Sequence, residues 1–310
     1  MFDKKSNKVR LKIAGVTVEI KSAFYHEAFH KGEENPWFKQ FFSNFVSREN
    51  VKSDIKIDVK VENFLPKLSG AIDVFKVIHP QDRTENWQVL KKNGFYIYKT
   101  VAKDKEQVTY FNKAFDRARV YVLPKKDKGL VWNVADLTYD FLQVLFINYF
   151  AQRKSGIFLH GAGIRDSNGK GLVFMGRSGA GKTTLARTWH EHSRAEVLND
   201  DHVIVRKVKG RFFIYGSPWC GEFRGFQNSY IGRAELDKLF FIYQYTNNTV
   251  KAISSAEAFK LLYPNIFPNF WDRKLTENII FLGLDLVKNM PCLSLGLIKS
   301  KSIIPFVRSI

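Results

Sequence analysis

Hydrophobic and polar positions alternate from the start of the chain: Val9, Leu11 and Ile13, then Val16, Val18 and Ile20, with Ala14-Gly15 at the centre. A period of two predicts strand, tight turn, strand. The alternation returns at Ile55, Ile57, Val59 and Val61, and residues 72–78 form another strand candidate. Residues 87–90 and 95–98 flank a loop at 91–94 whose Asn93-Gly94 pair suits positive φ and predicts a hairpin. Residues 107–111 and 117–123 complete a β-rich first region. Between these strands, Trp37, Phe38, Phe41, Phe42 and Phe45 recur near 3.6 residues, which predicts a helix starting at Pro36 with its aromatic side in a core.

After the charged stretch 124–129 the period changes. Trp132, Val134, Leu137, Phe141, Val144, Leu145, Asn148 and Tyr149 predict a long, mostly apolar helix ending at Gln152-Arg153-Lys154, where basic side chains suit the negative end of the helix dipole. From there strands and helices alternate. Strands are expected at 157–159, 171–175, 195–198 and 239–243, and a hairpin at 203–208 and 212–215 about Lys209-Gly210. Residues 166–169 read as a turn, and a helix is expected at 184–189. Another should open at Ser254, with Glu257 at capping-box spacing. A further helix is expected at 276–287 and a last strand at 291–298. The division that follows is a β-rich accessory domain at 1–130 and an α/β domain at 131–310.

Composition changes this picture in two ways. The 49 Lys and Arg against 30 Asp and Glu leave a formal charge of +19, which favours polyanionic partners such as nucleotides, acidic protein surfaces, nucleic acid or membrane headgroups. Cysteine occurs only at 220 and 292, too few for a disulfide framework or a thiolate zinc site, as expected of a reducing compartment. The first residues carry no secretory apolar core, and residues 141–150, the longest apolar candidate, fall short of the roughly 20 that span a bilayer. A cytoplasmic protein with no membrane insertion is the expectation.

The strongest chemical signal is GRSGAGKTT at 176–184, which fits the phosphate-binding spacing G-x-x-x-x-G-K-[ST] between an apolar strand and a helix. Gly176, Gly179 and Gly181 let the backbone curl so that successive N–H groups of Gly176, Arg177, Ser178, Gly179, Ala180, Gly181, Lys182, Thr183 and Thr184 can surround a polyphosphate. In such a loop Lys182 lies along the β and γ phosphates, and the Thr183 hydroxyl ligates Mg²⁺. Downstream, Asp200 and Asp201 end the strand at 195–198, the position of paired carboxylates serving a metal ion and a proton. Strand side chains alternate, so the two must point apart. His26-Glu27-Ala28-Phe29-His30 formally matches the zinc-protease pattern H-E-x-x-H, but it runs into Gly32 and Pro36, leaves little helix to hold two imidazoles, and has no third ligand.

His160-Gly161, the phosphate loop, Asn199-Asp200-Asp201 and Glu222-Phe223-Arg224-Gly225 occur in an order and spacing that resemble the catalytic domain of HPr kinase/phosphorylase. The resemblance covers about residues 156–245. It implies an α/β fold with a mixed-sheet, phosphoenolpyruvate-carboxykinase-like P-loop kinase core, here preceded by a β-rich α+β accessory domain. It further implies catalytic roles for His160, Lys182, Asp200 and Arg224, with Asp200 taking the substrate hydroxyl's proton, and metal-side roles for Thr183, Asp201 and Glu222. Thr183 replaces the family's usual Ser, and no clear copy of its later arginine-bearing segment is found, Arg273 being the candidate.

The resulting expectation is an ATP- and Mg²⁺-dependent kinase that phosphorylates a hydroxyl, foremost Ser, of a small protein or peptide, working as a homo-oligomer. The alternatives are a small-molecule kinase of the same superfamily and a non-catalytic, nucleotide-responsive binding module.

Overall fold

The computed structural model describes residues 8–22, 42–49, 51–78, 85–100, 106–123, 134–221 and 231–310. The chain divides into two compact units, residues 1–152 with 270–273, and residues 153–269 with 274–310.

The first unit opens with β1 (Lys8–Ile13) and β2 (Val16–Ser22), joined through Ala14 and Gly15 at φ 48° and 76°. Positive φ at both positions is the turn whose twist matches two flanking strands. A short 3₁₀ turn (Ser43–Phe45) precedes β3 (Ile55–Val61), β4 (Ile72–Ile78), β5 (Glu85–Lys92), β6 (Phe95–Thr100), β7 (Gln107–Phe111) and β8 (Arg117–Val122). Asn93 and Gly94, at φ 48° and 80°, make the second such hairpin. The strands form one mixed sheet in the order β1-β2-β3-β8-β7-β6-β5-β4, in which β2–β3 and β3–β8 run parallel.

Burial alternates strictly along β3 and β8, so the sheet has an apolar inner face and a charged outer one. Helix α1 (Val134–Arg153) completes the inner core with Phe141, Leu145, Phe146 and Phe150, and the rings of Phe111 and Phe141 lie 6.2 Å apart. Each such side chain removed from water is worth about 1.5–3 kcal/mol. The expected helix from Pro36 and the H-E-x-x-H segment lie outside the described residues, apart from its last part at 43–45, which is a 3₁₀ turn with Phe42 and Phe45 buried. Residues 270–273 join this unit through aromatic contacts: Phe75 stacks on Phe270 at 5.1 Å, and the Tyr96 hydroxyl donates to Asp272 Oδ2 at 2.5 Å.

The second unit contains β9 (Gly156–Arg165), β10 (Lys170–Met175), α2 (Lys182–His192), β11 (Glu196–Asn199), β12 (His202–Val208), β13 (Arg211–Tyr215) and β14 (Arg233–Gln244). Then come β15 (Thr249–Ala252), α3 (Ser255–Leu262), a 3₁₀ turn (Tyr263–Asn265), α4 (Arg273–Asn289), β16 (Cys292–Leu297) and α5 (Ile303–Arg308). Its sheet runs β10-β9-β12-β13-β14-β16-β15, and because β10 also pairs with β14, the pairings β9-β10-β14-β13-β12 close into a circuit. Pairing is parallel for β10–β14 and β14–β16 and antiparallel elsewhere. The parallel strands carry continuous apolar runs because both their faces are covered: Val173, Phe174 and Met175 pair with Leu239, Phe240 and Phe241, all buried. The fold is therefore mixed α/β with two mixed sheets. Among the described residues no helix is long and apolar enough to cross a membrane.

Candidate nucleotide site

The apolar run of β10 ends at Met175, and the chain turns through residues 176–181 into α2. A Cβ on Gly176 would stand 2.6 Å from the Ile242 carbonyl oxygen and 3.0 Å from the Ala180 methyl, so only glycine lets the loop lie this close to β14. Gly179 and Gly181 take φ 79° and 105°, conformations that cost other residues about 1–2 kcal/mol. A turn inside the loop is closed by Ala180 N–H to the Arg177 carbonyl at 3.0 Å, and the Gln244 amide clamps the loop from β14, donating to the Gly179 carbonyl at 2.6 Å. Helix α2 has no side-chain N-cap and no acid in its first turn, so its positive end is left for an anion.

Lys182 is the first residue of α2 and is buried, its Nζ donating to the Gly176 carbonyl at 2.9 Å. Burial pulls its pKa down, and the Asp201 carboxylate opposes that shift. Thr183 is half-buried, whereas Arg177, Ser178, Gly179 and Thr184 are exposed. The loop therefore presents backbone and hydroxyl groups outward and keeps its cation folded against its own carbonyls.

The acidic side is built by Asn199, which is fully buried at the end of β11. Its amide donates to the carbonyls of Ser217 and Trp219, while its Oδ1 accepts from the N–H groups of Asp201 and His202 at 2.8 and 2.7 Å. This local bond bends β11 into β12 and throws the two aspartates apart, as strand alternation requires. Asp200 turns inward at 1% exposure, its Oδ1 accepting the Gly221 N–H at 2.9 Å. Asp201 turns the other way: Oδ1 lies 3.1 Å from His160 Nε2 and Oδ2 lies 3.0 Å from His202 Nδ1.

Burial pushes the Asp201 pKa up, but His202, His160 and Lys182 outweigh it and hold the carboxyl below its ordinary value. His160 is pulled below its usual value first by burial, with Lys182 and His202 adding to the effect against Asp201. Burial thus favours the uncharged imidazole, and its Nε2 lies within hydrogen-bond distance of Asp201 Oδ1. Phe267 backs both rings, with its centroid 4.5 Å from His202 and 6.3 Å from His160.

Of the residues singled out by sequence, the structure brings Lys182, His160, Asp201 and the loop at 176–181 into one electrostatic neighbourhood, and it holds the buried Asp200 carboxylate against the Gly221 N–H. Glu222 and Arg224 lie outside the described residues. Among the described residues no three of His, Cys, Asp and Glu are placed to hold a metal ion. Sequence reasoning missed His202, Phe267 and Gln244, which carry no local signal, whereas Asn199 stood out as an Asn at a strand end before two carboxylates. No protein-family model matches the chain, and no curated protein matches it.

Proposed function

We propose that the protein is an ATP- and Mg²⁺-dependent kinase that transfers the γ-phosphoryl group to a hydroxyl, foremost a serine of a small protein or peptide, on a core of the HPr kinase type. The observation that carries this reading is the buried Lys182, laid on the Gly176 carbonyl at the head of α2 and coupled electrostatically to the His160–Asp201 pair. The circuit of strands around the parallel pair β10–β14 supports the mixed-sheet core that the resemblance implies.

The residues present fit the nucleotide. Gly176 lets the loop lie against β14, and the start of α2, with no side-chain cap and no acid in its first turn, suits polyphosphate oxygens. Thr183 offers the hard oxygen that Mg²⁺ takes alongside phosphate and water oxygens, with Glu222 as the expected further donor. When bound, Mg²⁺-ATP supplies the phosphoryl group and part of the countercharge for it.

The chain's own residues do the rest. Lys182 exchanges a loop carbonyl for phosphate oxygens. His160 holds Asp201 in place. Asp201, with 29% of its side chain exposed, can be reached by an incoming hydroxyl and accept its proton. Asp200 holds Gly221 at the head of the stretch that carries Glu222 and Arg224. This assignment reverses the expectation from the resemblance, which made Asp200 the base.

Transfer of labelled γ-phosphate to an acceptor tests the reading. Asp201→Asn should keep Mg²⁺-ATP binding while lowering turnover by about 10²–10⁴, the usual cost of losing a general base. Asp200→Asn should act mainly on stability. If folded Asp200→Asn loses turnover and Asp201→Asn does not, the roles stand as the resemblance implies. Nucleotide binding with neither transfer nor hydrolysis would favour the binding-module reading.

A further inference from the structure

The outer face of the first sheet carries a concavity of about 570 Å³ whose lining the phosphate site does not use. Its floor is aromatic. Phe95, Tyr110 and Tyr121, from three adjacent strands, meet edge to face, with neighbouring centroids 6.3 and 5.9 Å apart and ring planes at 78° and 79°. The side toward β5 is closed where Lys92 Nζ donates to the Ser69 carbonyl at 2.6 Å, beside the packing of Leu65 and Leu68 on Leu90, Ile97 and Val108. On the other side Arg117 and Arg119 rise from β8, and the register places Lys56 beside Arg117 and Asp58 between Lys21 and Arg119.

These arginines differ from others in the molecule. Arg10, Arg165, Arg211 and Arg308 each have an acid within ion-pair distance, whereas Arg117 and Arg119 pair with no acid among the described residues. Lys21, Lys56 and Lys60 are exposed on the same face and surround Asp58. A surface that leaves its cations unpaired around an apolar floor is complementary to a ligand bringing carboxylates and apolar side chains together.

We propose that this face docks an extended acidic peptide segment of a partner protein, with alternate carboxylates on Arg117 and Arg119 and an apolar side chain on the aromatic floor. Alternate residues of an extended peptide are spaced about 6.6–6.8 Å apart, the spacing of Arg117 and Arg119 along β8. The near-perpendicular rings make a corrugated floor that receives side chains, whereas successive bases stack on open ring faces. Asp58 at the centre of the cations disfavours a uniform phosphate backbone. The proposal stands apart from the kinase reading and holds or fails without it.

The test is fluorescence anisotropy on the full chain with a labelled eight-residue peptide of alternating Glu and Phe. The matching Lys and Phe peptide and a ten-nucleotide oligothymidylate serve as comparators. The Glu peptide should bind most tightly, with an affinity that falls as salt rises. Arg117→Glu combined with Arg119→Glu should weaken it by at least about tenfold, as loss of opposite-charge contacts at an interface does. Lys209→Glu, on the β12–β13 turn, should leave peptide binding unchanged, and nucleotide affinity should be the same in all these proteins. Should the charge reversal disturb folding by circular dichroism, Arg117→Gln with Arg119→Gln carries the same expectation at smaller size. Equal binding of the Glu and Lys peptides, or insensitivity of the Glu peptide to Arg117 and Arg119, would overturn the proposal. Tighter binding of the oligothymidylate, dependent on the same arginines, would overturn it in favour of a single-stranded nucleic acid.

Discussion

Along β3 of the first unit, Ile55, Ile57 and Val59 are buried and Lys56, Asp58 and Lys60 are exposed, whereas in β10 of the second unit every residue after Lys170 is buried. A sheet with one face in water can carry charge at every second position. A strand covered on both faces has nowhere for polar groups except its ends. The chemistry of the second unit accordingly gathers where strands stop: the phosphate loop follows Met175, and Asp200 and Asp201 follow Asn199. In the first unit charge is spread over an open face, giving a surface suited to recognition.

The contrast can be broken at two glycines. Gly176→Ala brings a methyl group to within 2.6 Å of the Ile242 carbonyl, a backbone atom that cannot swing away, whereas Gly94 has nothing within 4 Å of its Cβ position and only its φ of +80° to lose. Gly176→Ala should cost about 1–3 kcal/mol by overpacking and reduce nucleotide affinity at least about tenfold. Gly94→Ala should cost about 1–2 kcal/mol and leave nucleotide affinity intact. Urea unfolding with calorimetry checks both. Equal effects on nucleotide binding would mean that the Gly176 loop is not a tight phosphate cradle.

A smaller effect sharpens the picture of what supports α2. Arg308 of α5 makes two hydrogen bonds to Asp166, at 2.6 and 3.0 Å, and its guanidinium lies 5.3 Å from the ring centroid of the buried Trp189 of α2. Burial pushes the Asp166 pKa up, but bonds from Arg308 and the Ser167 N–H more than offset it, so the folded value lies below the ordinary one. The associated stability is fully present above the unfolded carboxylate's pKa and is lost as pH falls through the lower folded value. Arg308→Ala should therefore cost about 1–2 kcal/mol at pH 7, discounted because the Arg308 side chain is 38% exposed, and the difference from wild type should shrink on acidification below about pH 4. Denaturant titrations across pH test this, and a pH-independent difference would assign the loss to contact with Trp189 instead.

The smallest effect concerns α3, where Ser254 Oγ accepts the Glu257 N–H at 3.2 Å. Ser254→Ala should cost about 0.5–1 kcal/mol, the lower range for an exposed cap, and should not alter nucleotide binding.

Strands β1, β3 and β8 of the first sheet were legible because burial alternates with the pleat, and the hairpins at Ala14-Gly15 and Asn93-Gly94 because their turn residues match the φ values found. In the second unit, the strand at Leu239 was read from its apolar run, but β14 begins at Arg233, where Ala234 and Leu236 alternate with charges before the run starts. Edge strand β15 was not read, since Thr249–Ala252 is short, exposed and defined only by pairing with β16. Helix α5 was missed because it is a single short segment with Pro305 inside it and no side-chain cap.

For the candidate site, spacing in the sequence singled out residues 176–184 and the pair Asp200-Asp201. Strand alternation could say that Asp200 and Asp201 diverge. Which of them faces Lys182 depends also on Ser217 and Trp219, which hold the Asn199 amide, and on Gly221, which holds Asp200, contacts distant in sequence that no local pattern encodes. His202 and Gln244 gave no signal for the same reason.

The most direct test of the central claim is calorimetric titration of the full chain with ATP in the presence of Mg²⁺, for wild type and Lys182→Ala. A phosphate cradle whose buried ammonium is released to the nucleotide predicts saturable one-site binding by the wild type, weakened at least about tenfold in a folded Lys182→Ala variant. No binding by the wild type, or equal binding by the two proteins, would contradict it.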